Sequence, residues 1–277
     1  MKKNERAAAI VRTIVVSLIA VLFVVPLVWM VLSSLKTAPE VFARPFHWLP
    51  ARVQWQNYAT VWMNEEASML RAFANTLYIA LFSIVGQMLI SSLAAYSFAK
   101  INFKGKQIVF MLFLSSMMVP SQLTIIPRFM LFKTIGLYNN LWAIILPAFF
   151  GATSIFMLRQ FYMGLPNDLI EAAKIDGAGH LRIFLRIMLP LTKAALMSLI
   201  ILTFISSWNE YMAPLIFLVK KELYTVSQNI QWYMLDEFKE HNLTMAAANS
   251  AIVPVVILFI VGQKYFVEGI ATSGVKG

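Results

Sequence analysis

The chain has 277 residues, of which 60% are hydrophobic and only 13% charged, and its mean hydropathy is +0.71. That balance excludes an ordinary soluble domain and fits a polytopic membrane protein. The formal charge of +10 reads as a topology signal rather than as a nucleic-acid surface, and the absence of cysteine excludes disulfides, thiolate metal sites and cysteine nucleophiles.

In chain order, the first apolar run lies between Arg12 and Lys36, after Lys2, Lys3 and Arg6. It is too long for the core of a signal peptide and has no small-x-small cleavage site, so it is expected to be a membrane helix. Residues 36–71 follow as an external loop whose Trp48, Trp55, Tyr58 and Trp62 suit the membrane interface. Further spans are expected between Arg71 and Lys100, Lys106 and Arg128, Lys133 and Arg159, Lys193 and Lys220, and Glu240 and Lys264. Each is long enough to cross a bilayer as a helix, which takes about 20 residues. Alternating barrel strands are not seen, so the prediction is an all-α protein with six transmembrane helices, because helices satisfy their own backbone in lipid. One transmembrane domain is expected over residues 1–277. With the N-terminus inside, 14 of the 23 Lys and Arg but only 5 of the 13 acids fall in the inner segments, which places both termini in the cytoplasm.

Lys104-Gly105-Lys106 is not a phosphate-binding loop, since Lys100 stands where the first glycine would be and Gln107 replaces Ser/Thr. His47, His180 and His241 lie in different loops, so no metal site is expected. Energy for any transport must then come from another chain or an ion gradient.

Between the fourth and fifth spans lies a polar insert, residues 165–190, with helical patterning. Asn167 or Asp168 can cap a short helix, and Asp168-x-x-Glu171 resembles a capping box. Leu169, Ala172, Ala173 and Asp176 share one face, on which the two alanines permit close approach. Gly177 and Gly179 are expected to break the helix and allow a positive-φ turn. After the turn, Leu181, Phe184, Leu185 and Met188 form an apolar face and Pro190 ends the hairpin. Such an insert suits either an interfacial linker or a docking site for a soluble partner.

The run Glu171-Ala172-Ala173-x-x-Asp176-Gly177-Ala178, followed by Phe184, Ile187 and Leu189-Pro190-Leu191, closely resembles the cytoplasmic signature loop of ABC importer permeases. Asn75-Thr76-Leu77, residues 93–99, Met118-Val119-Pro120, residues 204–211 and Pro214-Leu215 look like the same family, and the C-terminal residues 264–277 resemble the second permease of maltose-type carbohydrate importers. The resemblance implies a type I ABC importer permease fold in a bacterial or archaeal cytoplasmic membrane. It also implies a second homologous permease, two ATP-binding subunits that hold ATP and Mg, and an extracytoplasmic solute-binding protein. This chain would have no cofactor and no catalytic residue of its own, and would form half of a pore for a sugar, expected to be an oligosaccharide. Glu171, Ala172, Ala173, Asp176, Gly177, Ala178, Phe184 and Pro190 would couple to the ATPase, and Val275, Lys276 and Gly277 would form the tail. Gln228, Asn229, Gln231 and Trp232, in the loop before the last span, would reach the binding protein.

Pore or gate candidates are Met117, Met118, Asn209 and Glu210, the last being an acid inside the fifth span. Three alternatives stand beside this reading, one of them a membrane scaffold without transport activity whose cytoplasmic hairpin merely docks a partner. An ion-driven secondary transporter would need an inverted repeat and paired intramembrane charges, and neither is found. A permease of the same family for a non-sugar solute, such as a glycerol phosphate ester, would share the hairpin.

Overall fold

The computed structural model describes residues 2–235 and 240–274, with side chains described for 8–235 and 240–263. Among the described residues there are helices and no strands. They form two compact units, one of residues 1–70 and 229–253 and the other of residues 71–228 and 254–277.

In the first unit, α1 (Lys2–Ser34) is apolar on every face beyond Arg12, and none of the apolar window of its Ala8–Ser34 span is buried. A helix that is hydrophobic on every face belongs in lipid or against another chain. Its C-terminal turn is stitched to α3 (Gln56–Met63), where Asn57 Nδ2 donates to the carbonyls of Ser34 and Lys36 at 2.8 and 2.9 Å. Between them a short α2 (Ala38–Val41) begins at Thr37, whose amide donates to Glu40. That bond is the main reason the Glu40 carboxyl sits below its ordinary range. The predicted aromatic loop divides: Trp55 is 70% exposed, while Tyr58 bonds Ser34 and Trp62 donates to Ser250. Tyr233 is buried, donating to the carbonyl of Ala67 at 3.1 Å. Burial, with the charge of Glu240 as a second cause, pushes its phenol up to about 12.

The second unit starts in α4 (Met69–Lys100) and continues through α5 (Lys106–Ser115), α6 (Ser121–Thr134), α7 (Trp142–Ala148) and α8 (Ala152–Gly164). A hairpin follows, made of α9 (Asp168–Ile175), α10 (His180–Ile183), a π-helical turn over Phe184–Met188 and α11 (Leu189–Leu191). Then come α12 (Lys193–Asn209), α13 (Met212–Phe217), α14 (Val226–Tyr233) and α15 (His241–Gly274); α4, α14 and α15 each run across the boundary between the units.

Four stretches are long and apolar enough to cross a membrane, Ala8–Ser34, Met69–Lys100, Trp142–Gly164 (interrupted at 149–151) and His241–Gln263, and the count reaches the expected six if each of two bent helix pairs is one span. One pair is Lys106–Met118 with Ser121–Thr134, bent by 97° within the expected third span; the other joins the second arm of the hairpin, His180–Leu191, to Lys193–Asn209 of the expected fifth span at a bend of 78°. The breaks have local causes. Pro120 is the N-cap of α6, and a proline disfavours helix at the residue before it. The fourth span also lies later than the charge spacing predicts, because α6 runs on to Thr134 before the turn.

Two buried clusters mark opposite parts of this unit. One joins Ile79 on α4 to Phe132, Ile145 and Phe217. The other gathers Tyr96 and Phe98 with Leu158, Tyr162, Ile183 and Met188. Tyr96 lies seventeen positions after Ile79 on α4, about 26 Å at 1.5 Å per residue, and the polar Gln87 sits between them.

Candidate functional site

The predicted hairpin is present, and its backbone explains how it holds its shape. At the end of α9, Gly177 has φ +77°, the Gly177 amide donates to Lys174 O at 3.0 Å and the Ala178 amide to Ala173 O at 2.9 Å. This pair of bonds is a Schellman cap, which needs a left-handed residue where glycine stands. Gly179 has φ −71° and needs no such freedom, so only one of the two glycines makes the turn. The other end departs from expectation. Asn167 is the N-cap of α9 by position, but no capping box forms: its Oδ1 instead accepts from Lys100 Nζ at 2.7 Å. In the second arm, Pro190 has no amide to donate, and the ladder ahead of it widens to a π turn in which Leu189 N donates to Phe184 O.

Two side chains of α4, Lys100 and Tyr96, fix the hairpin to it, and Arg159 ties α8 to the same end of α4. Lys100 Nζ also donates to Leu165 O at 2.7 Å, which satisfies a carbonyl at the end of α8. Tyr96 Oη lies 3.1 Å from His180 Nδ1, and its ring packs on Phe184 at 5.4 Å. Arg159 donates from Nε to Phe98 O and stacks 4.1 Å from the Phe110 ring. Basic residues counted from the sequence as topology markers thus also cap the exposed carbonyls of helix ends.

Sequence periodicity and observed burial disagree about which face is which. Ala173 is buried together with Ile170, while Glu171, Ala172 and Asp176 are exposed, so the two adjacent alanines point different ways. Phe184 and Met188 are buried with Ile183, whereas Leu181 and Leu185 face outward; the single apolar face expected for the second arm is in fact two. Phe184 therefore shapes the hairpin from inside and is not offered to a partner, Ala178 is half-buried, and Pro190 is exposed. The outer surface carries Leu169, Ala172 and Ile175 at three-residue spacing, and Ile175 is 87% exposed. An aliphatic side chain so exposed on a polar hairpin gains about 1.5–3 kcal/mol wherever a partner covers it. Val275, Lys276 and Gly277 lie outside the described residues.

A second site lies among the spans. Residues from three interruptions line one cavity of about 410 Å³: Ser121 and Gln122 after Pro120, Pro147 and Ala148 ahead of α8, and Glu210 between α12 and α13. Arg128 lines it too. Its guanidinium carbon lies 4.9 Å from the centre of the Phe217 ring, and its buried Nε has no hydrogen-bond partner. Glu210 accepts from the Ala213 amide at 3.0 Å. Ser206 and Ser207 are shared with an adjoining cavity of about 330 Å³, which Gln87 also lines. Gln87 ties three spans together, donating to Ser154 Oγ at 2.7 Å and accepting from Thr203 Oγ1 at 2.6 Å.

Of the four expected pore residues only Glu210 reaches this surface. Met117 and Met118, in the turn just before the bend, are 47% and 84% exposed and line neither cavity. Asn209 folds back to donate to Ile205 O. Of the proposed binding-protein contacts, Gln228 and Asn229 are buried, and Gln228 Nε2 donates to Pro214 O and Leu218 O. Gln231 is exposed and Trp232 half-buried. Gln87, Gln122 and Arg128 are not legible in the sequence: a lone polar residue in an apolar run has no period, and the charge of Arg128 marks the edge of a span by spacing alone. The prolines Pro120 and Pro147, each beside polar residues, were the available signal.

Residues 87–272 match the family described as binding-protein-dependent transport system inner membrane component. The arabinooligosaccharides transport system permease protein AraQ of Bacillus subtilis is 33% identical over 267 residues, which cover 96% of this chain and 95% of the relative. The sn-glycerol-3-phosphate transport system permease protein UgpE of Pectobacterium atrosepticum is 30% identical, with 94% of each covered. Among solved structures, a chain of a bacterial ABC transporter involved in the import of the acidic polysaccharide alginate has the same fold, with a TM-score of 0.83 at 23% identity, covering 95% of this chain and 98% of that one.

Proposed function

The chain belongs to the binding-protein-dependent transport system inner membrane components, and from that membership we propose that it is one of two permease subunits of an ATP-driven sugar importer. It is a multi-pass membrane transport subunit and not an enzyme. Two ATP-binding chains hydrolyse ATP with Mg²⁺ beneath the permeases, and an external binding protein delivers the solute. Both termini and the hairpin face the cytoplasm, in keeping with the basic residues gathered at that end.

The observation that carries the reading is the hairpin's construction. It exposes Leu169, Ala172 and Ile175 while Lys100 and Tyr96 bind it to the end of α4. Such a body moves with its span, so closure of the ATPase pair beneath it is transmitted as a shift of α4 and of the broken helices packed on it. Coupling of this type needs a rigid element with different contacts in two states. Glu171 and Asp176 flank the exposed stripe and supply charge-assisted hydrogen bonds to the partner. A sugar is the favoured solute because AraQ, at 33% identity over almost the whole chain, carries arabinooligosaccharides in its name.

The test is reconstitution of the chain with its partner permease, ATPase and binding protein in proteoliposomes. ATP-dependent sugar uptake with sugar-stimulated ATPase is expected, and Glu171→Lys is expected to insert normally while separating hydrolysis from uptake. Uptake driven by an ion gradient without ATP contradicts the proposal.

A further inference from the structure

We infer that this subunit itself grips the passing solute, in the cavity where three helix interruptions meet, and that the solute is a neutral polyhydroxy compound held between Arg128 and Glu210. The inference rests on the importer reading above and adds the residues and the charge class.

Unwound backbone at membrane depth is tolerated where it is buried in protein or lines an aqueous cavity. The breaks at Pro120, at 149–151 and at Glu210 each send residues into, or directly beside, one space. Ionisable groups inside spans are costly and mark solute paths. Here one cation and one anion line the same cavity, and the other lining residues are uncharged.

Part of their bonding capacity is unspent. Arg128 has donors only, and its buried Nε has no partner. Glu210 has acceptors only, one of which takes the Ala213 amide. Gln122, which offers both, stands on the same wall. A vicinal diol donates and accepts from adjacent oxygens, so it satisfies both charged groups at once. An anion would meet the carboxylate, and a cation the guanidinium; the pair thus selects against net charge. Among the described residues, the lining of both cavities has no aromatic side chain. The solute is therefore held by hydrogen bonds and not by ring stacking. Volumes of about 410 and 330 Å³ fall within the range of roughly 300–1,000 Å³ for small-molecule sites.

The chain has no cysteine, so Ser206→Cys places a single thiol on the wall shared by both cavities. The complete transporter is reconstituted with this variant, and modification by a methanethiosulfonate reagent is timed with and without arabinobiose or maltose, alongside ATP-driven uptake of the same sugars. The imported sugar is expected to slow modification, and sn-glycerol 3-phosphate to leave it unchanged. Adding Arg128→Gln should weaken that protection about tenfold, as expected for one lost charge-assisted hydrogen bond, with no change in the unprotected rate. Adding Glu210→Gln should let sn-glycerol 3-phosphate protect, because the guanidinium is then unopposed. A complex that imports the sugar without protecting the thiol, or in which the phosphate ester protects equally before substitution, overturns the inference. A complex that imports no neutral saccharide overturns the importer reading, and the inference falls with it.

Discussion

The hairpin and the cavity belong to the same compact unit and break the solvation rules of a membrane protein in opposite senses. The hairpin holds bare aliphatic groups on a polar loop: Ile175 is 87% exposed and Leu181 66% exposed. The cavity holds a guanidinium and a carboxylate between spans. Each would be costly if the chain were finished in itself. The difference teaches what each region lacks, since an exposed apolar stripe is completed by another protein surface, whereas an under-bonded charge pair is completed by something polar and small enough to pass.

Substitutions can break that contrast or sharpen it. The largest effect is expected from Ile175→Glu, which puts a charge where a partner should bury an aliphatic group: sugar uptake by the reconstituted complex should fall about 10- to 100-fold, matching the roughly 1.5–3 kcal/mol carried by one buried side chain. Insertion of the chain should not change, because Ile175 makes little contact within it; unaltered uptake would show that the stripe is not an interface. Gly177→Val comes next. Nothing lies within 4 Å of an added Cβ, so its cost is backbone strain alone at φ +77°, about 1–2 kcal/mol, or nearly tenfold in coupling, read as ATP hydrolysed per sugar imported. Gly177→Asn, which tolerates that conformation, should recover most of the loss. Within the spans, Gln87→Leu removes the bonds to Ser154 and Thr203 together. A polar link between membrane helices is worth about 0.6–1.7 kcal/mol, so thermal unfolding in detergent should shift down by a few degrees while the chain still assembles. The smallest effect belongs to Tyr96→Phe, which loses the contact to His180 but keeps the ring on Phe184. With about 0.5–1.5 kcal/mol at stake in one hydrogen bond, uptake should change by only a few-fold.

These two regions were not equally legible in the sequence. The hairpin could be read because its signals are local and consecutive: a glycine at the C′ position, a proline that limits the second arm, and charges in an otherwise apolar chain. Its faces could not be assigned, since Ala173 and Phe184 are turned inward by contacts with residues far along the chain, Phe184 meeting Tyr96 across 88 positions. Six apolar runs were countable from their flanking charges, but charge spacing treated Arg128 as the end of a span. In the structure it belongs to α6, beyond a 97° bend. The cavity escaped for the same reason. Its residues come from α4, α6, α12 and the ends of α7 and α13, and no periodicity within one run reveals that several interruptions open on a common space. Gln228 and Asn229 illustrate the reverse error, polar residues assigned to an outer contact that are buried and, for Gln228, used to close carbonyls at the end of α13.

The claim on which the rest depends is that the hairpin's outer stripe is covered by the ATPase. It is tested most directly by maleimide labelling of a single Ile175→Cys thiol in the otherwise cysteine-free chain, in membranes containing the permeases with and without the ATP-binding subunits. The account predicts rapid labelling without them and strong protection with them, while a Phe184→Cys thiol stays unreactive in both. Equal labelling of the Ile175→Cys thiol in the two preparations would contradict it.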